Sequence, residues 1–548
     1  MKSLIKNILI LCAAVMLTTA CSTDKLEITQ RGAVTTNEYV TADDDECLQF
    51  IASVYSHIRG GTLQYYFGTY DCHFTVRYKL GKMAAEYGEH YEYNETATSS
   101  TYKLMYSYYY QIIYWCNMII EYMPDNDVAS ASTVTQVVAE ARAIRAIMMM
   151  QLVMLWGNPP LADHILNGEE GHTDGAESLD WIQSELADCA EDLPSKSSKS
   201  GQSAIGGRIT KEAAYAYLGK AYLYDEEWTL AASTLYDKVI STGLYELIDD
   251  FNELNSSSSD FCSEFLWEYD FDDDIDYTSQ EGAWDVTYFG WSNGGITFPE
   301  GYYTGTCYGY AGYPSEEFAE FLIDHEQTSS GEMSSRYRGI MCTYEELLDE
   351  SLFTYTGTND DGSTTKGWKQ IISNCQGYFK IRNQALAADV SGSFPYAYSC
   401  RNTAYMRYAE VLLNYAEAIA QGGSASGMTG LEALNIVRRR AGLEDASSLT
   451  LSTVKDERRA ELYDEAQRFI DLVRWGDAAS ELADCGKYTY TFSGYQNGEN
   501  NVIQSKDQWS IVVSNTTGNG FVSGKHELFP YPEDELANNT NLSQNPNW

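Results

Sequence analysis

Six aromatic residues, Trp284, Trp291, Tyr302, Tyr303, Tyr308 and Tyr310, fall in a Gly-rich stretch, GAWDVTYFGWSNGG followed by GYYTGTCYGYAGYP. Sugar rings have apolar C–H faces and hydroxyl edges. A Trp or Tyr platform stacks on the face while Asp, Asn or Arg bonds the edge. Segments this rich in glycine can present side chains instead of packing them. Tyr70, Tyr87 and Tyr91 lie in an earlier loop that could approach the same face, and Trp368 follows later. For each residue alone, a place in a core or against a partner competes with ligand contact. As a set, they are the candidate binding residues.

Two charged groupings could also do chemistry. Asp270 to Asp276 (DFDDDID) offers oxygen ligands of the kind Ca²⁺ takes. It lacks the spacing and the glycine of an EF-hand loop, which favours a solvated acidic loop. Glu457, Arg458, Arg459 and Glu461 could form an acid pair with cationic clamps. On a helix, however, Glu457 and Glu461 stand one turn apart, and Arg458 and Asp471 can pair across neighbouring helices. Such Arg–carboxylate pairs fix helix register, and this reading is favoured over catalysis. GxSxG, Walker, HExxH and GxGxxG motifs are absent, and the seven His are widely spaced. A glycoside hydrolase needs only two carboxylates brought together by the fold, so hydrolysis stays open.

The elements that must position these residues belong to a chain of 548 residues with 36 Lys and Arg against 79 Asp and Glu, a formal charge of −43. That balance argues against nucleic acid as a partner and disfavours adsorption on anionic lipid. Apolar residues make up 44% and charged residues 21%, ordinary globular usage. The 44 Tyr, 11 Trp and 18 Phe are the departure from it. The length allows a large core and more than one domain-sized unit.

Lys2 and Lys6 precede an apolar run from Ile8 to Leu17, too short to span a membrane and suited to a signal-peptide core. Leu17-Thr18-Thr19-Ala20-Cys21 resembles a bacterial lipobox, in which Cys21 becomes the first residue and carries acyl chains. Residues 1–20 are then the signal peptide, and lipid on Cys21 anchors the protein. An ordinary secretory signal with an incidental cysteine is the competing reading. The remaining cysteines are scattered with no CxxC pair, which disfavours zinc. Disulfides and buried thiols both remain open.

The body reads as helices, a loop-rich middle, then helices. Tyr106, Tyr109, Ile113, Cys116 and Ile120 lie on one face of a helix over Tyr102 to Met123. Val137, Ala141, Ile144, Met148, Leu152 and Leu155 form a second stripe, stopped by Gly157-Asn158-Pro159-Pro160. With Thr210 as N-cap, Tyr215-x-x-Leu218-Gly219-x-x-Tyr222 and Ala232-x-x-x-Tyr236 match the two helices of a tetratricopeptide repeat. Tyr405, Tyr408, Leu412, Tyr415 and Ile419 form another stripe, and Leu431 to Ala441 the next. Val454 to Trp475 is expected to run helical to Gly476. Residues 256–399 carry no long stripe except near Pro314 to Asp324. The segment from Gly486 to Gly524 reads as loop with short strands.

Several blocks together resemble the SusD/RagB family of outer-membrane nutrient-binding lipoproteins. They are Ala141-Arg142-Ala143-Ile144-Arg145-Ala146 through Leu155-Trp156-Gly157-Asn158-Pro159-Pro160, Gly207-Arg208-Ile209-Thr210, and Arg407-Tyr408-Ala409-Glu410 through Ala418. Ala433 to Leu443, Glu457-Arg458-Arg459-Ala460-Glu461 through Trp475-Gly476, Leu528-Phe529-Pro530-Tyr531-Pro532 and Asn541 to Pro546 complete the set. The resemblance implies a mainly α fold on a tetratricopeptide-like helix-pair scaffold with long loop-rich, partly β insertions. It divides the mature chain into a helical region, 21–255, and a region 256–548 with an aromatic middle (256–399) and helices (400–480). It implies a non-catalytic glycan binder at the outer face of the outer membrane, partnered with a SusC-like, TonB-dependent transporter and needing no cofactor. A peptide-binding member, a surface glycoside hydrolase and a structural lid on the transporter are the alternatives. The family's ligand loops lie outside the matching blocks, so the aromatic positions rest on composition alone.

Overall fold

The computed structural model describes residues 36–59, 93–197, 207–271, 316–343, 398–483 and 520–548. It also describes residues 346, 386–391 and 485 and strand segments at 357–358, 364–365, 379–380, 488–494 and 509–515. Helices α1 (Thr36–Thr41) and α2 (Asp44–Arg59) precede two long ones, α3 (Ser100–Tyr122) and α4 (Ala131–Trp156). The apolar stripe of α3 buries Tyr102, Tyr106, Tyr109, Ile113 and Cys116. In α4 the Ser130 side chain caps the first turn by accepting from Thr133 N. Gly157 ends α4 at φ 79°, a left-handed conformation open to a residue without Cβ. The middle of α4 is buried on all sides, because α2, α3 and α5 (Gly175–Ala190) pack around it.

The tetratricopeptide-like pair forms as α6 (Lys211–Tyr224) and α7 (Trp228–Lys238), with the Thr210 side chain accepting from Ala213 N. Gly219 is required at their contact: a Cβ there would sit 2.4 Å from Leu235 Cδ2. Strand β1 (Phe265–Tyr269) pairs antiparallel with β2 (Thr403–Arg407). Helices α8 (Glu316–His325), α9 (Ser335–Ile340), α10 (Tyr408–Ala420), α11 (Gly430–Arg440), α12 (Leu451–Glu461) and α13 (Arg468–Arg474) follow in chain order. The segment after residue 486 contributes an antiparallel hairpin, β3 (Tyr488–Gly494) with β4 (Trp509–Asn515). No helix among the described residues is long and apolar enough to cross a membrane.

Two helix boundaries depart from the sequence reading. Tyr405 lies in β2, and the helix begins only at Tyr408, because Thr403 and Ala404 bond β1. The run from Val454 to Trp475 is broken at Leu462 to Gln467, where Asp464 and Ala466 take positive φ. Tertiary bonds account for the break. Glu461 O accepts from Arg407 Nη2 at 3.1 Å, and the Glu465 carboxylate accepts from Arg407 Nε at 2.9 Å.

The Arg/Glu blocks form a buried ion network. Arg336 donates to Glu326, to Glu457 Oε1 at 2.6 Å and to Glu461 Oε2 at 2.9 Å. Arg407 joins Glu264 and Glu461, and Arg440 reaches the same two carboxylates. Arg458 holds Asp471 at 2.8 Å. These residues therefore lock helices together, as the register reading expects. Lys220 of α6 and Glu410 of α10 add a buried pair at 2.7 Å.

The C-terminus closes the core around Trp156. Phe529 N donates to Leu155 O at 2.7 Å, and Trp156 Nε1 to Pro530 O at 2.9 Å. Asn545 Nδ2 donates to Trp156 O at 3.0 Å and to Phe529 O at 2.7 Å. The open carbonyls at the end of α4 are thus satisfied by residues nearly four hundred positions away.

Candidate functional site

Leu48, Ile51, Ala52, Tyr55, Ser56 and Ile58 face one side of α2, as the helical period dictates. Opposite them, β1 and its continuation present Trp267, Glu268, Tyr269 and Asp270, and β2 presents Tyr405. Gly207 and Arg208 close the set. Together they enclose a cavity of about 490 Å³, a size usual for small-ligand sites.

Its aromatic wall is stacked. Trp267 and Tyr405 lie 4.5 Å apart between ring centroids with planes inclined by 16°. Tyr269 meets Tyr405 at 4.4 Å, and Tyr217 meets the Trp267 edge from behind. Such offset packing fixes ring orientation. Bulges in the β1–β2 register, between Phe265 and Trp267 and between Trp267 and Glu268, allow successive residues of β1 to reach this wall.

A polar network supports the other side. Glu140 of α4 is fully buried and accepts four hydrogen bonds. Tyr55 OH donates at 2.8 Å, Gln136 Nε2 at 3.0 Å, and Arg208 donates through Nε at 2.8 Å and through Nη2. Tyr55 also accepts from Ile209 N at 3.0 Å. Burial, then the Glu140 charge, pushes the Tyr55 hydroxyl well above its ordinary value, so it remains a donor.

Glu268 and the nearby Asp260 are held by neutral donors. Phe261 N donates to both oxygens of Glu268 at 3.1 Å. Asn402 bridges the two acids, Nδ2 donating to Glu268 at 3.0 Å and N to Asp260 at 2.8 Å. Its own Oδ1 accepts from Phe271 N at 2.9 Å, which fixes the end of the cavity wall. Burial raises both carboxyls to about 7; Asp389 and Asp270 add to the shift of Asp260, and Asp260 adds to that of Glu268, which Lys196 opposes. The folded chain thus keeps protons that an unfolded carboxyl, ionising near pH 4, has released. Stability is expected to fall as pH rises from about 4 to about 7 through this pair. Glu268→Gln should flatten that slope, by at least about 1 kcal/mol between pH 5 and pH 8. Urea midpoints of both proteins across that range check it; parallel slopes would reject the assignment.

None of the sequence-derived aromatic candidates lies among the described residues. Tyr70, Tyr87, Tyr91, Trp284, Trp291, Tyr302, Tyr303, Tyr308, Tyr310, Trp368, Cys21 and residues 272–276 of the acidic stretch all fall outside them. In sequence, residues 60–92 follow Arg59, the last residue of α2, and residues 272–315 follow Phe271. Tyr55, Glu140, Arg208, Trp267, Tyr269 and Tyr405 were not read as site residues. The available signal was the aromatic strand Phe265-Leu266-Trp267-Glu268-Tyr269 directly before DFDDDID. Cys47, Cys116, Cys189 and Cys262 are unbridged thiols, and burial pushes that of Cys116 up to about 12, so it is unreactive.

Comparison with known proteins gives the following matches. The profile described as the SusD family covers residues 264–548, and one described as "Starch-binding associating with outer membrane" covers residues 35–223. A SusD-like protein of Formosa agariphila is 25% identical over 388 residues, covering 67% of this chain and 69% of that protein. The solved structure of a laminarin-binding SusD-like protein superposes with a TM-score of 0.70 at 22% identity, covering 92% of this chain and 100% of the other. Surface glycan-binding protein A from Bacteroides thetaiotaomicron, in complex with laminarihexaose, superposes with a TM-score of 0.67 at 18% identity, covering 92% and 100%.

Proposed function

The chain belongs to the SusD family, and on that premise we propose that it is a cell-surface glycan-binding lipoprotein. It captures polysaccharide or oligosaccharide and hands it to a SusC-like, TonB-dependent outer-membrane transporter without cleaving it. Lipid on Cys21 anchors it to the outer membrane, facing the exterior. Its mature chain is divided at about residue 255 into a helical region and a region carrying the aromatic segment. The observation that carries this reading is the aromatic-walled cavity between α2 and β1, from whose edges the segments holding Tyr70 and Trp284 run on. Two structural relatives are described as a laminarin-binding protein and as a complex with laminarihexaose, which supports a carbohydrate as the cargo. The described Arg–carboxylate clusters pair with one another inside the scaffold, which supports binding over catalysis.

The test is binding of the protein lacking residues 1–21 to a panel of plant, host and microbial polysaccharides, with product analysis alongside. Binding without products is expected. Trp284→Ala and Trp291→Ala should each weaken it by about tenfold, the equivalent of roughly 1.4 kcal/mol. Shortened products would make the protein a glycoside hydrolase. Absence of binding to every glycan would overturn the reading in favour of peptide cargo or a lid role.

A further inference from the structure

The two walls of the cavity between α2 and β1 narrow the kind of sugar it suits, an inference that rests on the glycan-binding reading. The α2 wall is largely aliphatic: Leu48, Ile51, Ala52 and Ile58 all line it. Leu48 is 36% exposed, although it is a large apolar side chain. A wall of this kind offers no hydrogen bond. A sugar hydroxyl moved against it from water loses its partners, whereas a methyl group gains by leaving water.

On the facing wall, Trp267 is 3% exposed. Its rings are held by Tyr405 and by the edge contact with Tyr217. Its indole N–H has no hydrogen-bond partner among the described residues, and it is not sealed away from solvent-sized space. Other indoles of this chain show the ordinary outcome. Trp156 Nε1 donates to Pro530 O at 2.9 Å, Trp475 Nε1 to Glu417 at 2.8 Å, and Trp548 Nε1 to Lys525 O and Leu528 O, each at 2.9 Å. Buried donors are nearly always paired, and one left unpaired carries a desolvation cost that an incoming oxygen removes. The neighbouring polar groups are already engaged. Tyr55 OH donates to Glu140 and accepts from Ile209 N, and Arg208 Nε and Nη2 bond Glu140. Glu268 accepts from Phe261 N and Asn402 Nδ2.

A group that suits both walls carries a methyl for the aliphatic side and an acceptor oxygen for the indole N–H. An acetyl substituent has both, on an ester oxygen or on an amide nitrogen. The cavity, at about 490 Å³, has room for a substituted sugar unit. We propose that this cavity recognises acetylated sugar units, with Trp267 donating to the acetyl carbonyl and Leu48 and Ala52 receiving its methyl.

The experiment uses the full-length protein purified from detergent-solubilised outer membranes and uncharged pairs that share a backbone. Acetylated glucomannan is compared with the same polymer after alkaline deacetylation, and chitohexaose with cellohexaose, which separates O-acetyl from N-acetyl recognition. Laminarin serves as an unacetylated glycan. Affinities are measured by calorimetry. In at least one pair the acetylated member is expected to bind at least about tenfold tighter, equivalent to about 1.4 kcal/mol. Trp267→Phe keeps an aromatic ring and removes the N–H; it should shrink that gap to less than about threefold. Leu48→Asn, at a more exposed position, should shrink it as well. Equal or tighter binding of the unacetylated member in both pairs overturns this inference and leaves glycan binding standing. So does a gap that both variants leave intact, and so does binding of laminarin with no member of either pair bound. Failure to bind any glycan overturns both readings together.

Discussion

Replacing Arg336 with Met is expected to lower the unfolding free energy by about 3–5 kcal/mol. Arg336 is fully buried and donates to three carboxylates, Glu326, Glu457 and Glu461, each also fully buried. Burial alone would raise the Glu326 carboxyl. The Arg336 charge outweighs it and holds that carboxyl down at about 2. Removal of the guanidinium leaves Glu326 with a buried charge and His325 as its neighbour, and the group must take up a proton or the packing must open. Above pH 5 the wild type has the full benefit of the depressed carboxyl. As pH falls toward 2 that benefit is lost, because the unfolded chain binds protons first. The deficit of the variant should therefore be largest at neutral pH and shrink below about pH 4. Denaturant midpoints at pH 7 and pH 4 measure both parts. A change under about 0.5 kcal/mol at pH 7 would show that the network does not hold α9 to α12.

Arg208→Ala is the second large effect, about 2–4 kcal/mol. Its guanidinium is the sole charge partner of Glu140 among the described residues, and the side chain is 23% exposed, so water replaces part of what is lost. Tyr55 and Gln136 still donate to Glu140, but neither carries charge. The double variant Arg208→Ala with Glu140→Gln should recover at least half of the loss, since an amide needs no counter-charge. If the double variant is as unstable as the single one, the cost lies in packing of the arginine stem and not in a stranded carboxylate. Tyr55 lines the cavity and is oriented by Glu140. Glycan affinity should therefore fall in the single variant and return with the stability in the double one.

The helices were legible because their apolar stripes and stop signals agree. Val137 to Leu155 with Gly157, and Thr210 with Gly219, each state one answer at every level. The break between α12 and α13 was not legible, since Leu462 to Gln467 continue a helical pattern. The distant Arg407 bonds Glu461 O and the Glu465 carboxylate across the stretch where Asp464 and Ala466 leave it. The network role of Glu457, Glu461, Arg458 and Asp471 was readable from one-turn spacing, but the partner Arg336 was not. The cavity was hidden for the same reason. Tyr55, Glu140, Arg208 and Tyr405 are separated by scores of residues, and each alone looks like an ordinary core tyrosine or surface ion. Composition marked the aromatic segment around Trp284 as a place for recognition, and no periodicity could say where its ends attach.

The bonds between Asn545 and the end of α4 bear on how the protein is made. A chain that emerges N-terminus first presents Trp156 and its helix long before Phe529, Pro530 and Asn545 exist to cover them. The N-terminal helices can gather early, yet the partners of Trp156 and Leu155 arrive only with residues 529–545. A chain that stops before residue 529 therefore leaves the Trp156 indole and the carbonyls at the end of α4 without these partners. Closure of the core around Trp156 waits on residues 529–545.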